Sequence, residues 1–421
     1  MKKKEIIPKI RFKGFTNAWE QCKLKDISER ILRKNTHLES TLPLTISAQY
    51  GLVDQFTYFN NRVASKNINN YFLLKKGDFA YNKSYSEGYP FGVIKCLENY
   101  KQGVLSTLYI VFKPNNQYVD NQYLIAYYDT NKWHKSIAER ASEGARNHGL
   151  LNISAEDFFT TQLRIPKNIK EQVAIGKVFK KLDKLITLHQ RKCKKLQNIK
   201  KSLLEKMFPK NNEKFPKIRF KNFTNAWEQE SFSNIFDYSI PNNTLSRAEL
   251  NDEEGIIKNI HYGDILIKYG DVLDISQNNI PYITNGDFKK YKNYLLKNGD
   301  IIFADTAEDE TTGKAIEINN IGNNFVVSGL HTIICRPKQK KQPYYLGYYI
   351  NSSAYHNQLL PLLQGIKVYS ISKSNLAKTY VKFPIEKREQ ANIGKLFLKI
   401  DKLLSLHQRK LFYKYWRKKI C

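Results

Sequence analysis

QVAIGKVFKKLDKLITLHQRKCKKLQNIKKSLLEKMF, residues 172–208, contains no proline and a single early glycine, Gly176. Apolar residues at Ile175, Val178, Leu182, Leu185, Leu196, Ile199 and Leu203 follow the alternating three–four spacing of a heptad seam, which predicts one long helix. His189 and Lys192 occupy the two middle seam positions and give it a polar centre. At 1.5 Å per residue the helix is expected to be about 55 Å long. A lone helix with one apolar stripe needs a partner, and the sequence supplies one. IGKVFKKLDKLITLHQRK (175–192) returns as IGKLFLKIDKLLSLHQRK (393–410), with thirteen of eighteen positions identical. The second seam reads Ile393, Leu396, Ile400 and Leu403, with His407 and Lys410 in its polar centre. Two copies of one helix in one chain, each following a large segment, predict an intramolecular coiled coil between two modules. After Lys410 the copy reads LFYKYWRKKIC and departs from the heptad pattern, so the second helix is expected to be the shorter.

A second repeat lies at the start of each half. PKIRFKGFTNAWEQ (8–21) and PKIRFKNFTNAWEQ (216–229) differ only at Gly14 versus Asn222. The pair of repeats fixes an internally duplicated architecture. Phe12, Phe15 and Trp19 are read as structural anchors for the start of each module. The resulting division is 1–165, a central helix 166–210, a second module 211–384 and a C-terminal helix 385–421. KNNEKFPK (210–217) is the joint between the halves.

The modules share a grammar. LKKGDFAYNK (74–83) corresponds to LKNGDIIFAD (296–305), and VLSTLYIVFKP (104–114) to VVSGLHTIICRP (326–337). EGARNHGLLNIS corresponds to QGIKVYSIS (364–372), and LRIP (163–166) to VKFP (381–384). In the first module LPLTIS (42–47), GDFAYN (77–82), GVLSTLYIVFKP (103–114) and FFTTQLRIPK read as strands. The stretch from Asn121 reads as a helical piece, and 60–74 and 83–95 as polar loops. The fold class is therefore α+β: two similar globular modules separated by two long antiparallel helices. A constant scaffold around divergent polar loops suits recognition modules with different targets.

The chain carries a net charge of +30 over 421 residues, with 41% hydrophobic and 13% aromatic content. That supports real cores and excludes a disordered chain. The cationic excess points to a polyanion, duplex DNA first, with RNA or an anionic membrane surface behind it. Residues 172–210 alone hold twelve Lys or Arg against two acids. No apolar run is long enough to span a bilayer and no secretory signal opens the chain. Five scattered cysteines with no CxxC suggest reduced thiols in the cytoplasm and no zinc site.

Enzymatic motifs are missing: no Walker loop, no GxGxxG opening a helix, no HExxH, and no Asn-Pro-Pro-Tyr or Asp-Pro-Pro-Tyr. Asp78 and Asp300 sit in a lysine-glycine turn before a strand, a structural pattern. Asp305, Glu308, Asp309 and Glu310 form an acidic, solvated loop, with cation binding or the reading of cytosine amino groups as lesser alternatives. His331, inside an apolar run, is expected to be a core histidine. No catalytic set and no metal site is assigned, and the chain is expected not to be an enzyme. The candidate DNA-binding residues lie in glycine-flanked loops: Lys83, Tyr85, Arg146, Asn147 and His148 in the first module, and Lys258, His261, Tyr262, Lys314, Lys367 and Tyr369 in the second. Arg and Lys favour guanine edges, Asn favours adenine, and Ser and Tyr serve phosphates.

At the repeated RFxxFTxxW start, both copies of the EQxxIGKxFxKxDxLIxLHQRK helix, GARNHGLLNIS, HYGDI (261–265), LKNGDIIFADTAED (296–309), VVSGLHTI (326–333) and QGIKV (364–368), the chain resembles the specificity subunits of type I restriction-modification systems. The resemblance covers essentially the whole length. It implies two target recognition domains, each reading one half of a bipartite duplex DNA site, with the helices as a ruler for the gap. It further implies docking of two modification subunits that carry S-adenosylmethionine and methylate adenine at N6. Restriction subunits using ATP and Mg2+ complete the implied complex, with no cofactor in this chain. A stand-alone two-module DNA-binding regulator or scaffold is the alternative. A fused methyltransferase-nuclease needs a large catalytic region for which two repeats leave no room.

Overall fold

A computed structural model describes residues 7–60, 63–65, 67–86, 88–141, 151–210 and 212–420, with side chains to residue 410. The chain divides into two compact units, Met1–Leu188 with Leu411–Cys421, and His189–Lys410.

In the first unit an antiparallel sheet runs in the order Ser28–Arg30, Ile110–Pro114, Phe79–Asn82, Val93–Cys96. The period-two alternation of its central strands sorts side chains onto two cores. Phe79, Tyr81 and Phe112 join Tyr128, Trp133 and Phe158 on one face, while Ala80 and Val111 join Leu44, Leu74 and Leu105 on the other. The second unit repeats this. Ile301, Phe303, Ile333 and Cys335 face one cluster; Ile302, Ala304 and Ile334 face another. Its main sheet has five strands, ordered Phe236–Asp237, Thr332–Pro337, Ile301–Ala304, Ala315–Asn319, Val272–Asp274.

Asp78 and Asp300 play the structural part expected. Each accepts the backbone N–H three residues earlier, from Lys75 and Lys297, at a turn made by a glycine with positive φ. Each then pairs with an arginine, Arg33 or Arg336.

Several local expectations are corrected. GVLSTLYIVFKP is two strands, Gln102–Leu105 and Ile110–Pro114, because Ser106–Tyr109 turns the chain. The helical piece from Asn121 breaks into Asn121–Tyr128 and His134–Ala138. The stretches 60–74 and 83–95, read as loops, end in the strands Phe72–Lys75 and Val93–Cys96. Phe158 and Phe159 belong to a short helix capped by Ser154, and only Gln162–Ile165 is strand.

The opening repeat is a closing device. Its Glu20–Lys23 strand pairs with Gln162–Ile165, and Glu228–Ser231 pairs with Tyr380–Phe383, the last strand before each long helix. Arg11 Nε and Nη2 donate to the buried Glu171 carboxylate at 2.7 and 2.8 Å, and Arg219 does the same to Glu389 at 2.7 and 2.8 Å. Both glutamates stand in the first turn of a long helix, where a carboxylate also suits the helix dipole. The next residue repeats too: Gln172 donates to the Pro166 carbonyl and Gln390 to the Pro384 carbonyl. Gly14 and Asn222, where the copies differ, both have positive φ, 96° and 73°, a conformation that glycine and asparagine share. Of the expected aromatic anchors Trp19 and Phe15 are half-buried, whereas Phe12 is exposed; the arginine rather than that ring fixes the segment.

The long helices span Ile169–Lys206 and Lys387–Ile420. Gly176 and Gly394 let each approach backbone closely: a Cβ would lie 2.8 Å from Gln122 C in one case and 2.7 Å from Pro343 O in the other. Within the second unit the helices run antiparallel, since His189 meets His407, Lys200 meets Asp401 and Phe208 stacks on Phe397. The buried face of the long helices keeps Ile175, Leu182, Leu196, Leu203, Ile393 and Ile400, all at least partly buried, but its alternate positions sit one residue later than expected. Phe179, Ile186, Cys193, Lys200, Phe397 and Leu404 take the inner places. Val178, Ile199 and Leu403 are exposed, Lys192 and Lys410 are solvated, and Leu185 and Leu396 form the flanks. Paired apolar residues at 178–179, 185–186, 396–397 and 403–404 fit both registers in the sequence. Lys200 hides the answer, because it is a cation on the inner face. Burial disfavours its charge, but Asp271 and Asp401 outweigh that and hold its pKa above the usual lysine range.

Candidate nucleic-acid interface

In the second unit the strand Ile301–Ala304 ends at Asp305, and the chain then pairs again. Thr306–Ala307 is antiparallel to Tyr369–Ser370. Asp305 N–H donates to the His331 carbonyl at 3.1 Å, and Ile371 N–H donates to the Asp305 carbonyl at 2.8 Å. Residues 305–307, 331 and 364–371 therefore form one surface. Its outermost part is the hairpin 364–370, closed by reciprocal Gln364 and Ser370 backbone hydrogen bonds of 3.0 and 2.8 Å. Gly365 has φ 119°, and a Cβ there would collide with the Val368 carbonyl, so only glycine fits. Beyond it Ile366 is 94% exposed, with Lys367 and Val368 exposed beside it. An exposed cation between two exposed apolar side chains on a stiff hairpin suits a phosphate-lined groove.

Tyr262 and His261 border the same surface. The Tyr262 ring lies 5.3 Å from the His331 ring at 72°, and the His261 ring lies 4.7 Å from Tyr262. His261 caps the helix Tyr262–Ile267 by accepting the Gly263 N–H at Nδ1, which requires that nitrogen unprotonated. Burial, in line with this, holds its pKa below the usual imidazole range. His331 is corrected from a core residue to an exposed turn residue with φ 55°. The apolar run around it is really two strands, Phe325–Ser328 and Thr332–Pro337, with the turn between them.

The other candidates separate. Tyr369 lies in the hairpin's strand and Lys367 at its tip. Lys258, in the strand Ile257–Ile260, is half-buried with its ammonium over the Tyr282 ring at 5.6 Å. Lys314 is engaged elsewhere: its ammonium donates to the Leu266 and Tyr269 carbonyls, both at 3.0 Å, at the end of the helix Tyr262–Ile267. Burial lowers its pKa. It is a capping cation. In the acidic loop Glu308, Asp309 and Glu310 are all exposed, and Asp309 accepts from the Thr311 N–H and hydroxyl of its own turn. Among the described residues no three His, Cys, Asp or Glu side chains cluster as a metal site requires.

The first unit builds the corresponding place. Lys83 follows the strand Phe79–Asn82 as Asp305 follows Ile301–Ala304. Its carbonyl accepts the Leu151 N–H at 2.9 Å and its ammonium approaches the Ile153 carbonyl at 3.4 Å. Tyr85 is exposed nearby. Arg146, Asn147 and His148 lie outside the described residues. Sequence reading missed the apolar hairpin tip, because Ile366 and Val368 carry no chemistry of their own. It missed the inward role of Lys314 because only packing reveals which carbonyls a lysine meets.

Known proteins match this architecture. The family described as Type I restriction modification DNA specificity domain matches twice, over residues 17–198 and 225–411. The type I restriction enzyme MjaVIII specificity subunit of Methanocaldococcus jannaschii is 22% identical over 410 residues, covering 93% of this chain and 88% of its own. The solved S subunit of the type I restriction-modification system from M. genitalium superposes with a TM-score of 0.54 at 14% identity, over 99% of this chain and 98% of that one. A chain solved in work on complex assembly and conformational transition of the type I R-M system gives 0.50 at 14% identity, over 96% of each. These two establish likeness of fold. No described helix is long and apolar enough to cross a membrane. With one family matched in both halves, each match taking in most of a module and most of its long helix, the chain belongs to the DNA specificity subunits of type I restriction-modification systems.

Proposed function

We propose that each module reads one half of a bipartite, gapped duplex site and that the long helices set the gap. The observation that carries this is the duplicated construction. The same strand end, Lys83 in one copy and Asp305 in the other, meets a segment that leads into a serine-capped turn of helix, with different side chains on the surface. One scaffold with two sets of surface groups supports two different half-sites. The hairpin 364–370 enters a groove with Lys367 near phosphate, and Tyr85 and the 144–150 stretch serve the first half. The basic outer face of the first long helix supports either the DNA backbone or the partner subunits.

The chain is the non-catalytic reader of a larger complex. Two modification subunits carrying S-adenosylmethionine dock on it and methylate adenine at N6. Restriction subunits using ATP and Mg2+ join them, and the assembly works in the cytoplasm. The test is a methylome: co-expression with the modification subunit in a methylation-free host, then mapping of N6-methyladenine. A single gapped motif, methylated on both strands, supports the proposal. No new methylation by a complex that co-purifies refutes it, and failure to co-purify favours a stand-alone DNA-binding regulator.

A further inference from the structure

We propose that Asp305 is a specificity-determining residue of the second module, accepting the N4 amine of a cytosine in the major groove, with His331 and Thr306 positioning its carboxylate. This rests on the reading of the chain as a DNA specificity subunit. The Asp305 backbone is held on both sides, through its N–H to His331 and its carbonyl from Ile371. Its Oδ1 accepts the Thr306 hydroxyl at 2.7 Å and meets His331 Nδ1 at 3.2 Å. Its Oδ2 has no partner among the described residues, although the side chain is accessible. His331 is held in place as well. It keeps a left-handed backbone that side chains rarely adopt, and its ring packs edge-on against Tyr262.

A fixed carboxylate with one open oxygen is out of place on a surface that meets phosphates, unless it meets a donor. The major groove offers two amine donors, cytosine N4 and adenine N6. Adenine N7, an acceptor, lies beside N6 and repels a carboxylate, whereas cytosine places a C–H beside N4. Asp305 therefore selects a G·C pair. The corresponding residue of the first module is Lys83, of opposite charge, so the same position on the scaffold takes different bases in the two halves.

The experiment uses the full chain in complex with its modification subunits. Binding is measured to duplexes in which each pair of the mapped site is replaced in turn. The wild type loses affinity on the order of 10- to 100-fold when the G·C pair read by Asp305 becomes A·T. Asp305→Asn loses that preference at this pair alone and keeps every other. His331→Gln weakens the preference at the same pair. An Asp305→Asn profile equal to the wild type, or an even loss across all pairs, overturns the assignment. Should Asp305→Asn fail to assemble, His331→Gln and Thr306→Val decide by the same rule. Absence of any gapped motif in the wild-type methylome would instead sink the specificity-subunit reading itself.

Discussion

Replacing Glu389 by glutamine tests whether the arginine clamp holds the second long helix to its module. The Glu389 side chain is 1% accessible and takes two charge-assisted hydrogen bonds from Arg219 at 2.7 and 2.8 Å. Arg219 Nη2 also donates to the Asn225 carbonyl, so the guanidinium stays in place when the carboxylate is neutralised. Removing one partner of a buried pair costs about 3–5 kcal/mol. Arg219 keeps some accessibility, 14% of its side chain, so the lower end, about 3 kcal/mol, is expected. The assay is urea unfolding followed by Trp227 fluorescence, with Trp19, Trp133 and Trp416 replaced by phenylalanine. With a slope of about 3 kcal/mol per molar urea the midpoint falls by roughly 1 M. A double-mutant cycle with Arg219→Met should return a coupling of about 2 kcal/mol. A coupling below about 0.5 kcal/mol, the range of an exposed pair, would refute the clamp.

Three further outcomes are expected. Deleting one heptad within 182–203, with a matching deletion in 400–410, shortens the pair by about 10 Å. The methylome should then show unchanged half-sites and a gap shorter by roughly three base pairs, and an unchanged gap in an active complex removes the ruler. Lys367→Ala should lower duplex affinity and reduce the salt slope by about one while leaving thermal stability alone; Lys314→Ala should do the reverse, since its ammonium caps a helix. His407 is held below the usual imidazole pKa by burial and then by Lys192 and Lys410. The unfolded chain therefore binds the proton more readily, and stability falls as pH drops below about 6.5. His407→Asn should flatten that decline in thermal melts between pH 7.5 and 5.5.

What the sequence reveals follows from what repetition and period can encode. The duplicated helix, the duplicated opening and the lysine-glycine-aspartate turns are legible because their roles recur at fixed spacing. The inner face of the coiled coil is half legible. Leu182 and Leu196 announce themselves, but Lys200 counts as a surface cation until Asp271 and Asp401 are seen around it. The Arg11–Glu171 pair joins residues 160 apart, beyond the reach of any local pattern. His331 reads as a core residue in the sequence because the turn of Gly329, Leu330 and His331 interrupts an apolar run without a proline or polar cluster to mark it. The candidate interface is least legible because its members come from four separate stretches, 261–262, 305–307, 331 and 364–371, that only the fold brings together.

His189 and His407 carry one further consequence. They are the same position in the two copies of the helix, 218 residues apart, and their Nδ1 atoms approach to 2.8 Å. The contact is isologous, the form expected where two identical subunits meet on a dyad, here within one polypeptide. A self-matching seam restrains its sequence in a way that a surface facing an outside ligand does not. A change in one copy must suit the partner copy, which in turn presents nearly the same side chains. Under the proposed reading of two half-sites, surface loops on the two modules answer to separate base sequences and are free to diverge. That difference in constraint explains why the helices remain near-copies while the surfaces beside Lys83 and Asp305 do not.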